Sequence, residues 1–213
     1  MSAETRFDDY LAHLCTGLML PLSRKSVEPM AAFLAPMHVS AKHQSLHHFV
    51  STARWSDSEM LRRVRQWVVA QMDFSSGGWW IVDDTGFAKK GKHSVGVTRQ
   101  YCGQLGKREN CQVAVSVSLA NIEGSLPVAW RLYLPQEWAE DSERRAKAGV
   151  PEELTFATKP QIALEQLRSL LAEGQPKHCV LADAAYGVDH AFRQGLSDMG
   201  LPYMVGITSS VVV

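Results

Sequence analysis

Residues 79–93 read WWIVDDTGFAKKGKH, and the fold turns on how they are taken. Trp79, Trp80, Ile81 and Val82 form an apolar run too short for a helix, of residue types that favour a buried strand. The run meets two adjacent carboxylates, Asp83 and Asp84, then Thr85 and Gly86. A strand that delivers a carboxylate to a sheet edge holds it rigidly, as a metal ligand requires. Beyond it the charge changes sign. From Thr85 to Arg108 there are six Lys or Arg (Lys89, Lys90, Lys92, Arg99, Lys107 and Arg108) and no acid. Acids at a strand end beside a basic hairpin suit an enzyme that grips a polyanion and cuts it with a metal. Asp-Asp-Thr-Gly is also an ordinary strand-to-turn sequence, since these residue types favour turns. A second carboxylate downstream decides between the two.

That carboxylate is Asp183. It closes a short apolar segment, His178 to Ala182, within Leu-Ala-Asp-Ala-Ala-Tyr-Gly. Between the two aspartates, Val113, Val115, Val117 and Leu119 alternate with small residues over Cys111 to Ala120, predicting a strand with one buried face. Asn121 to Gly124 is a turn and Leu126 to Leu134 the next strand, so three consecutive strands make an antiparallel meander. Residues 135–158 are charged and irregular, with a short exposed helix expected. Lys159-Pro160 opens a helix carrying Ile162, Leu164, Leu167, Leu170 and Leu171, ended by Gly174. After Asp183, Val188 to Met199 reads as a helix and Pro202 to Ile207 as a strand. The order is strand, strand, strand, helix, strand, helix, strand, with Asp at the end of the first and fourth strands.

Upstream, residues 1–75 read as helical. Phe7, Tyr10, Leu11, Leu14 and Leu18 keep helical spacing, and Ser23 caps a second helix through Val27, Met30, Ala31 and Leu34. A third covers His43 to Ala53 and a fourth Ser56 to Met72. In the fourth, Leu61, Val64, Trp67 and Val68 form the apolar face and Arg62, Arg63 and Arg65 the polar one. Such a bundle suits DNA binding and equally any small helical domain. His43 and His47 are spaced i, i+4, but no Glu of a His-Glu-x-x-His pattern lies between them, so a structural role is preferred. Ser75-Ser76-Gly77-Gly78 is the flexible joint. It divides the chain into a helical, DNA-binding domain at 1–75 and a catalytic domain at 76–213.

The chain has 213 residues, 46% hydrophobic and 21% charged, with no net charge. Balanced net charge does not exclude nucleic acid, because the local field matters. No apolar run reaches the length of a membrane span, and MSAETRFDDY lacks a signal-peptide pattern. Cys15, Cys102, Cys111 and Cys179 form no Cys-x-x-Cys pair and read as thiols in a reducing cytoplasm.

Cutting a phosphodiester at neutral pH needs an activated water and neutralisation of charge on the phosphate. Two divalent ions about 3.5–4 Å apart serve both needs, and Mg²⁺ takes carboxylate oxygens while keeping several waters. The motifs that match this chemistry are Asp-Asp-Thr-Gly-Phe-x-Lys-Lys-Gly-x-x-Ser-x-Gly-Val, Gln-Tyr-x-Gly-x-x-Gly-Lys-x-x-Asn-Cys-Gln and Leu-Ala-Asp-x-x-Tyr-Gly. In these the chain resembles bacterial insertion-sequence transposases of the DDE type. The resemblance covers residues 79–213 closely. It implies an RNase H-like mixed α/β fold: three antiparallel strands, then alternating helix and strand, preceded by a small all-helical domain. It also implies DNA strand cleavage and strand transfer at the element's ends, Mg²⁺ or Mn²⁺ as cofactor, and double-stranded DNA as partner. A homodimer to pair two ends and a cytoplasmic, nucleoid-associated location follow from it as well. Carried over by position, the catalytic and metal-binding aspartates are Asp84, with Asp83 in reserve, and Asp183. Lys89, Lys90, Lys92, Arg99, Lys107 and Arg108 are the expected DNA contacts.

The chain departs from the family in one respect. Such enzymes carry a third carboxylate, a Glu on a later helix, and no Glu follows Asp183. The expectation is a truncated transposase with two of three ligands. Asp189 and Asp198 sit in the following helix and read as surface residues. Two other readings compete. The chain could be a non-catalytic DNA-binding or inhibitory fragment. Gly86 to His93 also approaches the phosphate-loop pattern of a nucleotide hydrolase, except that His93 replaces the hydroxyl that would hold Mg²⁺ and no helix follows.

Overall fold

The computed structural model describes residues 12–53 and 56–211. The chain forms two compact units, Met1–Asp57 and Ser58–Val213. In the first, residues 12–19 are helical, followed by α1 (Val27–Leu34) and α2 (Val39–Ser51). Met30, Ala31 and Leu46 form its buried centre, with Leu14, Leu22 and Leu34 against it. Phe7, Tyr10 and Leu11 lie outside the described residues. The His43 and His47 rings stack, centroids 6.1 Å apart.

The division falls at the start of α3 (Asp57–Val69), so the Ser75–Gly78 joint lies inside the second unit. Within α3 the inner face differs from the expected one at two places: Leu61, Val64 and Val68 stay partly buried, but Arg65 takes the innermost position and Trp67 turns outward. Arg65 is the buried residue of α3 and Trp67 is 72% exposed. The Arg65 guanidinium donates to the Val128 carbonyl (2.8 Å) and pairs with Glu173. Apolar spacing alone could not anticipate that a guanidinium would be buried here, because its two acceptors come from residues 63 and 108 positions away.

The second unit is built on a six-stranded sheet: β1 (Trp79–Ala88), β2 (Thr98–Cys102), β3 (Lys107–Ala120), β4 (Ser125–Leu132), β5 (Cys179–Ala182) and β6 (Tyr203–Val205). β1 and β4 run antiparallel to β3, β5 runs parallel to β1, and β6 runs parallel to β5. This is the RNase H-like order. The added strand is β2, which shares with β4 the edge of β3 opposite β1. Sequence alone places β2 within a basic turn. It forms because β3 extends past β1 to Lys107 and offers residues 107–111 as a template.

Two short helices, α4 (Gln136–Ala139) and α5 (Ser142–Ala148), fill the irregular stretch. Then come α6 (Lys159–Ala172), α7 (Ala184–Gly187) and α8 (His190–Asp198). Trp80 and Val82 of β1 alternate with less buried neighbours, and with Val115, Val117 and Leu119 of β3 they pack against Ile162, Leu167, Phe192 and Leu196. That alternation places one face of the sheet under α6 and α8. α6 begins in a full capping box between Thr158 and Gln161, with Pro160 in its first turn. Its buried Gln166 donates to the Val115 carbonyl at 3.1 Å. Both ends of its placement are thereby fixed: the cap sets where the helix starts, and Gln166 sets its height on β3.

Candidate active site

β1 does not stop at its carboxylates. It continues to Ala88 because β3 keeps pairing with it: Asp83 opposite Ser116, Asp84 opposite Val115, Ala88 opposite Cys111. On its other edge, β1 pairs with β5 only as far as Val82 opposite Ala182. The next residues on the two strands are Asp83 and Asp183. All three aspartates therefore stand just past the last parallel pair, where β5 leaves the sheet and β1 goes on.

Alternation along β1 sends the two neighbours to opposite faces. Asp84 shares the face of Trp80 and Val82 and is half-buried. Its Oδ2 accepts from the Lys159 ammonium at 2.8 Å. Asp83 is exposed, and its Oδ1 accepts from the Asp84 backbone N–H at 2.7 Å. With Ile81, Leu181, Asp183 and Met204 it lines an open cavity of about 410 Å³. Asp183 caps α7, its Oδ1 accepting from the Ala185 N–H at 2.9 Å. Asp189 and Asp198 are engaged locally, the first capping α8 through Phe192 N–H and the second accepting from Gln194.

Tyr186 feels the charge of all three acids. It is 2% exposed, and its phenol is pushed well above the usual tyrosine range. Burial is the main cause, followed by the negative charges of Asp84, Asp83 and Asp183, in that order. The hydroxyl stays protonated there, a buried neutral group in the field of three carboxylates. One helical turn past Asp183, the Tyr186 ring packs into the core beside Phe192, 5.7 Å between ring centroids. Gly187 then lets the Gly206 carbonyl pass where a side chain would stand, which holds the Asp183 turn against the end of β6. The Tyr-Gly of Leu-Ala-Asp-x-x-Tyr-Gly thus has a packing reason.

Lys159 was not singled out from the sequence, although a signal exists. A cation in the first turn of a helix opposes the helix dipole, so a lysine opening α6 calls for a compensating acid, and Asp84 is that acid.

The basic residues lie on the hairpin and the turn before it. Lys89, Lys90, Lys92, Arg99, Lys107 and Arg108 are all exposed. Register puts Tyr101 opposite Arg108 and Arg99 opposite Asn110 on one face of the β2–β3 pair. Lys107 is partly engaged by Glu109 at 3.5 Å. Asn110 donates to the Lys89 and Gly91 carbonyls (2.7 and 2.8 Å), pinning the lysine turn to β3. The hairpin folds back on β1: a β-carbon on Gly86 would lie 3.0 Å from the Cys102 Cα. Gly86 is two residues past Asp84 on the same face, so the hairpin is anchored beside that carboxylate. Residues 86–93 run from a strand towards another strand and never into a helix, so the phosphate-loop geometry is not formed.

Among the described residues, no three His, Cys, Asp or Glu side chains cluster closely enough to enclose an ion. Mg²⁺ is commonly held by one or two carboxylates plus waters. In donor chemistry, Asp183 with one of the two β1 aspartates fits such a hydrated ion; Asp83 shares the open cavity with Asp183, and Asp84 stands on the other face of β1.

An RNase H-like sheet with aspartates at the parting of β1 and β5 defines a class of metal-dependent nucleases and strand-transfer enzymes. The chain belongs to the DDE superfamily endonucleases, whose family model matches residues 1–213; this family normally uses divalent metal ions and acts on DNA. It is also 32% identical over 208 residues to a probable transposase for insertion sequence element IS701 from Microchaete diplosiphon, a match covering 97% of this chain and 50% of the relative. The chain spans about half the length of the curated relative it matches. Among the described residues, no helix is long and apolar enough to cross a membrane.

Proposed function

We propose that this chain carries two catalytic aspartates, Asp84 and Asp183, of a DNA transposase that cleaves and joins strands at insertion-sequence ends. The observation that carries the reading is the register: Val82 opposite Ala182 ends the parallel pairing, and the acids follow at once on both strands around one buried phenol. Asp84 is favoured over Asp83 because it is half-buried on a packed face, where the Lys159 ammonium holds its carboxylate. A bound divalent ion would supply charge neutralisation and an acidified water. The chain's own residues would orient that ion through Asp84 and Asp183. Lys89, Lys90, Lys92, Arg99 and Arg108, with Lys107 at the margin, would position the phosphates without reading sequence.

In the chemistry this serves, water attacks a phosphodiester at the element's end and frees a 3′-hydroxyl, which then displaces a phosphate oxygen in target DNA. Double-stranded DNA is the partner, with residues 1–75 as a further DNA-binding element. A homodimer would bring two ends together, and the bacterial nucleoid is where both would meet. The third carboxylate does not come from a Glu after Asp183 within these residues.

A second reading, a DNA-binding fragment that does not cut, is favoured by one observation: among the described residues, no set of three ligands closes around an ion. A nicking assay on element-end DNA with Mg²⁺ or Mn²⁺ separates the two. Cleavage lost in both Asp84→Asn and Asp183→Asn supports the enzyme, and salt-sensitive binding without nicking supports the passive fragment.

A further inference from the structure

Lys159 reaches Asp84 from the first turn of α6, with its ammonium 2.8 Å from Oδ2 and both side chains mostly buried, at 28% and 18% exposure. The same ammonium lies 5.8 Å from the centre of the Tyr133 ring. The residue is held from behind by the Thr158–Gln161 capping box and by Gln166 on β3. A lysine here runs against the dipole of its own helix, so the carboxylate is what makes the position tolerable. A single charge is thus built onto one of the two oxygens that a divalent ion at Asp84 would take.

Resting on the reading of Asp84 as a metal ligand, we infer that Lys159 is an internal competitor for the ion, a positioning residue that occupies the carboxylate until a divalent cation displaces it. While paired, it keeps a half-buried acid from standing uncompensated and fixes the carboxylate's rotamer. When the ion enters, the ammonium leaves Oδ2 and stays within one side chain's length of the site. The Tyr133 face is a neighbouring surface on which a cation can rest. Metal occupancy is therefore set by the difference between two cations on one carboxylate, and removing the lysine tightens the site.

The test is a titration of the intact chain with Mn²⁺, free ion read by electron paramagnetic resonance, for the unaltered protein, Lys159→Met, Lys159→Arg and Asp84→Asn. Lys159→Met is expected to bind Mn²⁺ more tightly, by roughly two- to fivefold, the range an ion pair of partial exposure supplies. Lys159→Arg, which keeps the charge, stays near the unaltered value, and Asp84→Asn loses the site. Unchanged or weaker binding in Lys159→Met, with binding still lost in Asp84→Asn, overturns the inference and leaves the metal reading standing. Binding that Asp84→Asn does not affect overturns both. Should Lys159→Met fold poorly, the double mutant cycle of Asp84→Asn and Lys159→Met, read as unfolding midpoints without metal, takes its place. Additive effects there would mean the pair is not coupled and would sink the inference.

Discussion

The carbonyl of Gly206, just after β6, occupies the place where a β-carbon on Gly187 would stand. The reverse contact is nearly as tight, since a β-carbon on Gly206 would lie 2.8 Å from the Ala184 backbone nitrogen. The turn that carries Asp183 is therefore seated on backbone, which cannot swing aside as a side chain can. Gly187→Ala is expected to destabilise the protein by about 1–3 kcal/mol, as overpacking does, and to displace Asp183. A urea unfolding midpoint lowered at unchanged slope would bear this out; an unmoved midpoint would not.

Arg65 gives a second expectation. Replacing it with Met leaves the Val128 carbonyl without its donor and Glu173 without its partner. Breaking a buried pair from one side costs about 3–5 kcal/mol, and the partial exposure of Glu173 reduces this to roughly 1–3 kcal/mol. Trp67→Ala, exposed on the same helix, should change stability far less. Thermal unfolding of the two variants side by side decides it, and equal losses would contradict the burial of Arg65 and the exposure of Trp67.

His178 sets a pH dependence. Its ring lies against Phe74 and Trp80, at 5.0 and 5.8 Å between centroids, and its Nε2 is buried without a partner. Burial lowers its pKa from 6.5. Its folded state thus favours the neutral ring, while the unfolded chain takes up a proton as pH falls below about 6.5. The stabilising preference is present in full above that pH and declines below it until the folded ring also charges. Unfolding midpoints from about pH 7.5 to 5 should fall for the unaltered protein and fall less for His178→Gln. Parallel curves would rule the histidine out as the cause.

On DNA, the lysine turn predicts a salt effect. Removing one lysine–phosphate pairing reduces the slope of log affinity against log salt by about 0.9. Lys89→Ala, Lys90→Ala and Lys92→Ala combined should flatten that slope by roughly 2–3 units and weaken unrelated sequences equally. A slope that stays put would mean these lysines face solvent only.

The strand order was legible in the sequence because each element's apolar period survives in the packing: Val113, Val115, Val117 and Leu119 are all fully buried. What could not be read was where pairing continues without an apolar signal. Residues 83–88 and 107–110 are mostly polar or small, yet they are strand because β3 is long enough to template both β1 and β2. The candidate aspartates stood out in motifs, but only register puts Asp83, Asp84 and Asp183 just past the last parallel pair, Val82 and Ala182. Lys159 and Tyr186 were missed as site residues for one reason. Their roles come from contacts across 75 residues of chain in the case of Lys159 and Asp84, and through burial in the case of Tyr186. The sequence offers only indirect hints, a cation opening α6 and a tyrosine inside the Asp183 motif, and neither names its partner.

The most direct measurement is anomalous scattering from crystals of the protein soaked in Mn²⁺. A peak is expected within about 2–2.5 Å of carboxylate oxygens of both Asp84 and Asp183, with the Lys159 ammonium withdrawn from Oδ2. A lattice that admits the ion elsewhere but shows no peak there, or a peak on Asp83 and Asp183 with Lys159 still seated on Asp84, would contradict it.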